Sequence, residues 1–363
     1  MNYLNDYSRP RLISRKNRRL RRAAIVSAGV LTVVGWCLTA TSGRCATGYT
    51  VTAVPLDAGA GINVAGEVVG NVANANPVEH AASYFQGKVT DLGALSSPGG
   101  DPAQSPSQAA AVNNLGLIVG QSEGADFFTH AVSFANGTVH NLGTLGGFNS
   151  SANALNDKGQ IVGTSDTAAN DGTQHAFVSS SKGLIDIGTL NGTGSSVAFG
   201  INDFGMIVGQ SSTASGDTHA FIYQNGKFTD IGTLGGTFST ATALNLEGIV
   251  VGYGTLSGDQ VIHAFAYYQG KLQDLGELGG NNSTANAIND LGQIVGVTNS
   301  GPTGNSHAFI YSFGKYQDLN NLIDANSGWE LTSATAINDK GEIIGTGIFN
   351  GAFQTFLLTP KGN

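Results

Sequence analysis

Cysteine is almost missing from this chain: of 363 residues only Cys37 and Cys45 carry a thiol, and both lie near the N-terminus. The rest of the chain therefore has no disulfide framework and no cysteine metal site. Arginine is missing in a more telling way. Residues 1–46 hold nine of the 17 Lys+Arg and one acid, Asp6; the remainder has eight lysines, no arginine and 24 acids, a net charge of −16. So acidic a body, without a guanidinium, is a poor match for phosphate backbones or anionic membranes, and no nucleic-acid partner is expected. Long helices are not expected either, because 53 glycines and many β-branched residues fill places where Leu, Ala, Glu and Lys would sit. The glycines follow no three-residue period, which excludes collagen, and 40% hydrophobic residues exclude a disordered chain.

Long apolar runs are lacking with one exception. Residues 23–41 are uncharged and apolar, follow Arg18, Arg19, Arg21 and Arg22, and lead to Ala40 and Ser42, a workable cleavage site. Residues 1–46 therefore read as a signal peptide or as an N-terminal membrane anchor, since such a run can just span a bilayer. Under both readings the positive flank stays inside, and residues 47–363 are exported to the periplasm, the cell surface or the medium. Membrane contact is expected only through this segment, if it is uncleaved.

What is present is a repeat. Three phrases recur in fixed order. The first ends in Asn and turns to Gly: Asn63, Asn113, Asn156, Asn202, Asn245, Asn289 and Asn338, each leading to a short strand such as Gln160-Ile161-Val162-Gly163. The second is His-Ala-Phe or a relative, beginning at His80, His130, His175, His219, His263 and His307, with Gln354-Thr355-Phe356 as a seventh. The third is Asp-Leu-Gly-x-Leu or close to it, beginning at Asp91, Asn141, Asp186, Asp230, Asp274 and Asp318. Equivalent positions are 43 to 50 residues apart.

Each unit reads as four short strands, for example 196–202, 205–211, 218–224 and 227–234. Asn202-Asp203-Phe204-Gly205 and Asn225-Gly226 are hairpin turns, because Asn, Asp and Gly tolerate the positive φ such turns need. Four strands at this period predict an all-β, seven-bladed β-propeller; the alternative, a β-solenoid, would repeat once per coil with fewer hairpins. There are seven first phrases and only six third phrases. The missing outer strand is residues 49–56 (YTVTAVPL), which is expected to close the ring against the last blade and remove an exposed edge.

The His-Ala-Phe triplets, the Asp-Leu-Gly-x-Leu-Gly-Gly runs and the Asn-Asp-x-Gly-x-Ile-Val-Gly turns resemble the bacterial extracellular HAF-repeat family over about residues 47–363. The resemblance implies extracytoplasmic location and repeat architecture. It passes on no catalytic residue, cofactor or substrate.

The histidines invite a metal site, but one per blade around a ring places them too far apart to share an ion. Each precedes an Asp or Asn by 11 residues: His80/Asp91, His130/Asn141, His175/Asp186, His219/Asp230, His263/Asp274 and His307/Asp318. Across a hairpin that offset makes diagonal neighbours on one sheet face, so six structural hydrogen bonds are expected. No cofactor is expected. The strands nearest the axis, such as Ser283-Thr284-Ala285-Asn286-Ala287, carry no acid, lysine or histidine, so the paired acids of a glycosidase are missing there. No Ser-His-Asp triad stands out from the repeat.

A localised function is expected where the repeat breaks. Residues 96–107 (SSPGGDPAQSPS) contain Asp101; residues 323–331 (IDANSGWEL) contain Trp329 and Glu330; residues 125–129 carry Asp126, Phe127 and Phe128. These loops emerge on one face and are expected to border a shallow depression beside blade one, because exposed aromatics mark contact surfaces. The resulting expectation is a non-enzymatic extracytoplasmic binding or surface-interaction module for a glycan or protein. The alternatives are an enzyme acting on an extracellular polymer through face-loop carboxylates, and a structural envelope or matrix component.

Overall fold

The computed structural model describes residues 48–73, 78–97, 100–168, 172–300 and 305–362. The leader, with both cysteines and the apolar run, lies outside the described residues. Among the described residues the regular structure is strand throughout, apart from two short 3-10 turns at Pro102–Gln104 and Leu319–Leu322.

The strands fall into four-stranded antiparallel units, and in all but the last of these the members follow in sequence order. One such unit is Ser196–Ile201, Ile207–Ser212, Thr218–Gln224 and Lys227–Gly232. Among the described residues seven such units, here blades one to seven, have first strands beginning at Ala58, Ser107, Gly146, Ser196, Gly235, Gly279 and Trp329. Blades four and five are joined by a single parallel bridge, Thr218 to Phe238. Each first strand packs on the first strand of the next blade, and Trp329–Ile337 packs on Ala58–Ile62, so the fold is a β-propeller with the first strands innermost.

Blade seven takes its fourth strand from the other end of the chain. Tyr49–Val54 pairs antiparallel with Ala352–Pro360, in register from Tyr49 opposite Pro360 to Val54 opposite Thr355. The expected closing strand stands where the strand count placed it. Its outer partner would otherwise present a row of unpaired amides.

The three phrases have distinct mechanical tasks. In the first, each Asn side chain holds its own turn through Oδ1 and reaches the next blade through Nδ2. Asn202 Oδ1 accepts from Phe204 N and Met206 N, at 3.0 and 3.1 Å. Its Nδ2 donates to the Asn245 carbonyl at 3.1 Å. The same donation runs from Asn63 to Asn113, Asn113 to Asn156, Asn156 to Asn202, Asn245 to Asn289, Asn289 to Asn338, and finally from Asn338 to Asn63 at 2.9 Å. All seven side chains are at most 6% exposed. A buried amide left without partners is costly, so this closed circuit ties each blade to the next.

The glycine of Ile-Val-Gly is required by a bulge in the neighbouring first strand. At Gly296 an added Cβ would overlap the Thr284 carbonyl oxygen and lie 2.8 Å from the Phe309 ring. That ring is the Phe of His-Ala-Phe, and it fills the seam toward the preceding blade, against Val251, Ala264 and Ala285. Phe177, Phe221, Phe265 and Phe356 fill their seams likewise and are fully buried. The Ala amide of the triplet donates to a serine on the next blade, as Ala220 N does to Ser239 Oγ at 2.8 Å, and that hydroxyl donates on to the Gly232 carbonyl.

Candidate functional site

Five of the six expected histidine pairs form as the spacing predicts. Nδ1 of His80, His175, His219, His263 and His307 lies 2.6–3.0 Å from the nearer carboxylate oxygen of Asp91, Asp186, Asp230, Asp274 and Asp318. A carboxylate only accepts, so each imidazole donates through Nδ1. In four of the five pairs a carboxylate oxygen also holds the Asp-x-Gly turn, as Asp230 Oδ1 does by accepting from Gly232 N at 2.7 Å, while Asp318 Oδ1 accepts from Asn320 N. Second and third phrases thus lock each other across the outer hairpin.

Blade two departs from this pattern, and the His130/Asn141 pair is not made. Asn141 Oδ1 keeps the turn by accepting from Gly143 N at 2.8 Å. An amide is a weaker acceptor than a carboxylate, and here its oxygen is already engaged. The His130 ring is instead gripped through Nε2 by Asp126, with both carboxylate oxygens at 2.9–3.0 Å. His130 is 8% exposed, and its Nδ1 is buried without a hydrogen-bond partner.

The loop that delivers Asp126 is built for that grip. Gly124 has no side chain, and a Cβ there would lie 2.8 Å from Asp126 Oδ1 and 2.9 Å from the His130 ring. Phe127 N donates to the Gly124 carbonyl at 3.0 Å. Phe127 takes a left-handed backbone at φ 64° and is 71% exposed. The bond from His130, aided by one from Phe128 N, holds the Asp126 carboxyl below the usual carboxylate range, so it stays ionised.

Blade three supplies the opposite wall. The Phe148 ring stacks on Phe128 with centroids 4.5 Å apart and planes 16° from parallel. Beside it, Asn149 Oδ1 accepts from Thr129 N at 3.2 Å, and Asp166 accepts from Asn149 N and Nδ2. Burial pushes the Asp166 carboxyl up, but bonds from Gln174 and Asn149 outweigh it and hold it low. Alongside this stack lies an open groove of about 590 Å³, lined by Asp126, Phe128, His130, Asn141, Thr144 and Phe148 among others.

The structure therefore brings Asp126 and Phe128 together with His130, and leaves the other candidates elsewhere. Asp101 is a turn cap: its Oδ1 accepts from Ala103 N at 3.0 Å at the start of Pro102–Gln104. Trp329 and Glu330 open the first strand of blade seven rather than a loop, with Trp329 opposite Phe349 in register. The Trp329 ring is half-buried, stacks on Phe349 at 4.9 Å and meets Phe356 edge-on at 6.1 Å, which braces its own blade. None of these three lines the groove. Phe148 was missed from sequence; its signal was an aromatic in a slot held by Thr237 and Asn281 in blades five and six. Among the described residues no three His, Cys, Asp or Glu are arranged to hold a metal ion, and no helix is long and apolar enough to cross a membrane.

A family model described as a protein of unknown function, DUF3466, matches residues 188–356. No curated protein matches the chain. Among solved structures, the chain resembles TolB from Acinetobacter baumannii (12% identity, 82% of this chain, 64% of that one, TM-score 0.40). It also resembles a Mycobacterium tuberculosis puromycin-hydrolysing peptidase (11% identity, 81% of this chain, 50% of that one, TM-score 0.48). A third likeness is the β-propeller domain of the Trilobed protease from Pyrococcus furiosus (9% identity, 86% of this chain, 96% of that one, TM-score 0.49). The chain thus spans one half to two thirds of the first two proteins, and at these identities the likenesses carry nothing about activity.

Proposed function

We propose that this protein is an exported, non-enzymatic binding module. Its contact surface is the groove between blades two and three, and its partner is an extracytoplasmic protein presenting a cationic side chain. The observation that carries this reading is the coincidence of the groove with the one histidine that leaves the repeat pattern. There an ionised Asp126 stands beside the Phe128–Phe148 stack. A lysine or arginine entering the groove would meet a carboxylate and an aromatic face together, and cation–π contact adds about 0.5–1 kcal/mol at such an exposed site. The acidic body favours the same sign of partner at longer range. Export rests on the basic, apolar leader.

The Asp126–His130 pair has two members of a catalytic triad and lacks the third. A nucleophile would have to reach the other ring nitrogen, and His130 Nδ1 is buried and unpartnered. This favours binding over hydrolysis at the groove.

The test is an array of lysine- and arginine-bearing peptides and neutral glycans probed with the full-length protein. Cationic peptides should be retained, and Asp126→Asn or Phe148→Thr should weaken that retention by roughly tenfold or more. Retention of glycans alone, or unchanged peptide binding by both variants, would overturn the reading. Released products would establish the enzyme instead.

A further inference from the structure

The innermost strands carry a second belt of bonds between blades, and this one is incomplete. Three residues before four of the seven ring asparagines, a polar side chain donates to a backbone carbonyl of the next blade. Asn153 reaches Ala198 at 2.9 Å, Thr242 reaches Ala285 at 2.8 Å, Asn286 reaches Ala334 at 2.8 Å, and Thr335 reaches Gly59 at 3.0 Å. In blades one, two and four the same position is Ala60, Ala110 and Phe199, whose side chains have nothing to donate. All three line a cavity of about 500 Å³ on the axis, to which five blades contribute.

Thr240 and Asn71 border that cavity, but the Thr240 hydroxyl and the Asn71 Oδ1 are sealed from it by their own surroundings. The polar side chains open to it include those of Gln108 and Gln121. Gln121 Nε2 donates to Gln108 Oε1 at 2.9 Å, which leaves Gln108 Nε2 as donor and Gln121 Oε1 as acceptor. Blades four and five add the rings of Phe199 and Tyr253. No Asp, Glu, Lys, Arg or His is among the lining residues.

We propose that this axial cavity binds an uncharged sugar residue. A charged ligand would lose its hydration and find no counter-charge. A purely apolar one would strip water from Gln108 Nε2 and Gln121 Oε1 without replacing its hydrogen bonds. A sugar ring supplies hydroxyls that both donate and accept, and a C–H face suited to Phe199 and Tyr253. The volume falls within the roughly 300–1,000 Å³ typical of small-molecule sites. This site is independent of the groove between blades two and three, and shares no lining residue with it.

The repeat itself supplies the plug for a test. In Ala60→Asn/Ala110→Asn, each new amide takes the slot of Asn153, so the belt gains donors while the cavity fills. Titration calorimetry of the full-length protein with neutral mono- and disaccharides should show saturable binding. The double variant should abolish it without lowering the melting temperature. Gln121→Leu should weaken it by about three- to tenfold, the worth of one neutral hydrogen bond. Phe148→Thr should leave it unchanged, which separates this site from the groove. Absence of binding by every sugar, binding unaffected by the plug, or crystals soaked in sugar that show ordered water alone in the cavity would each overturn the proposal.

Discussion

Asn141 and its five counterparts share one task, accepting a hydrogen bond that holds a turn, and only the aspartates add a grip on the upstream histidine. The 11-residue offset was legible because hairpin geometry fixes diagonal neighbours. Its failure at His130 was not, because the deciding carboxylate, Asp126, comes from a loop on the other side of the ring. Four of the five grips that form are half-exposed on the aspartate side, with Asp230 at 45% in its side chain and Asp318 the exception at 15%. His219→Ala should therefore cost only about 0.5–1.5 kcal/mol, read as a small drop in thermal melting. Asp290 behaves in the opposite sense. Burial, together with repulsion from Asp339, Glu247 and Asp203, pushes its carboxyl above the usual range, although Leu246 N donates to it. The folded state thus holds this proton more tightly than the unfolded chain, and stability falls as pH rises from the ordinary aspartate range through the raised value. Asp290→Asn keeps the acceptor and removes the charge. It should raise the melting temperature at pH 7, with the gain vanishing below about pH 4.

At the scale of strands and turns, two kinds of glycine look identical in sequence and differ in cost. Gly226 sits in an Asn-Gly hairpin at φ 77° with no atom near its absent Cβ, so Gly226→Ala should cost about 1–2 kcal/mol of backbone strain. Gly296 is confined by the Thr284 carbonyl and the Phe309 ring. Gly296→Ala must displace a bulged strand and a packed ring, and should cost more, about 3 kcal/mol. Chemical denaturation of both variants checks the order. Hairpins were legible because their turn chemistry is local. The seam between blades two and three was not, because the Phe128–Phe148 stack joins residues from different blades, and no period within one unit reveals that neighbour. Trp329 was misplaced for a related reason: residues 323–331 lack repeat spacing, yet the strand resumes within them, at Trp329.

For the molecule as a whole, closure depends on two features far apart in sequence, the Tyr49–Val54 strand and the bond from Asn338 Nδ2 to the Asn63 carbonyl. The strand could be deduced from counting phrases. The asparagine circuit could not, because the same residues already had a sufficient local explanation as turn formers. Removing residues 1–54 should leave the edge of Ala352–Pro360 open, so the truncated protein should self-associate by size-exclusion chromatography and melt below the intact one. Asn338→Ala should break the circuit at its closing bond and leave the Asn63 carbonyl unpaired, a loss of about 1–3 kcal/mol.

The central functional claim is that contact is made where the repeat departs from itself, and six sister blades provide its internal control. Amide hydrogen exchange of the full-length protein, with and without a retained cationic peptide, resolves the blades separately. The account predicts added protection in residues 124–130 and 141–149, and none in the equivalent segments of the other blades or in residues 329–331. Protection centred on residues 329–331 or 101–107, or spread evenly over all seven blades, would contradict it.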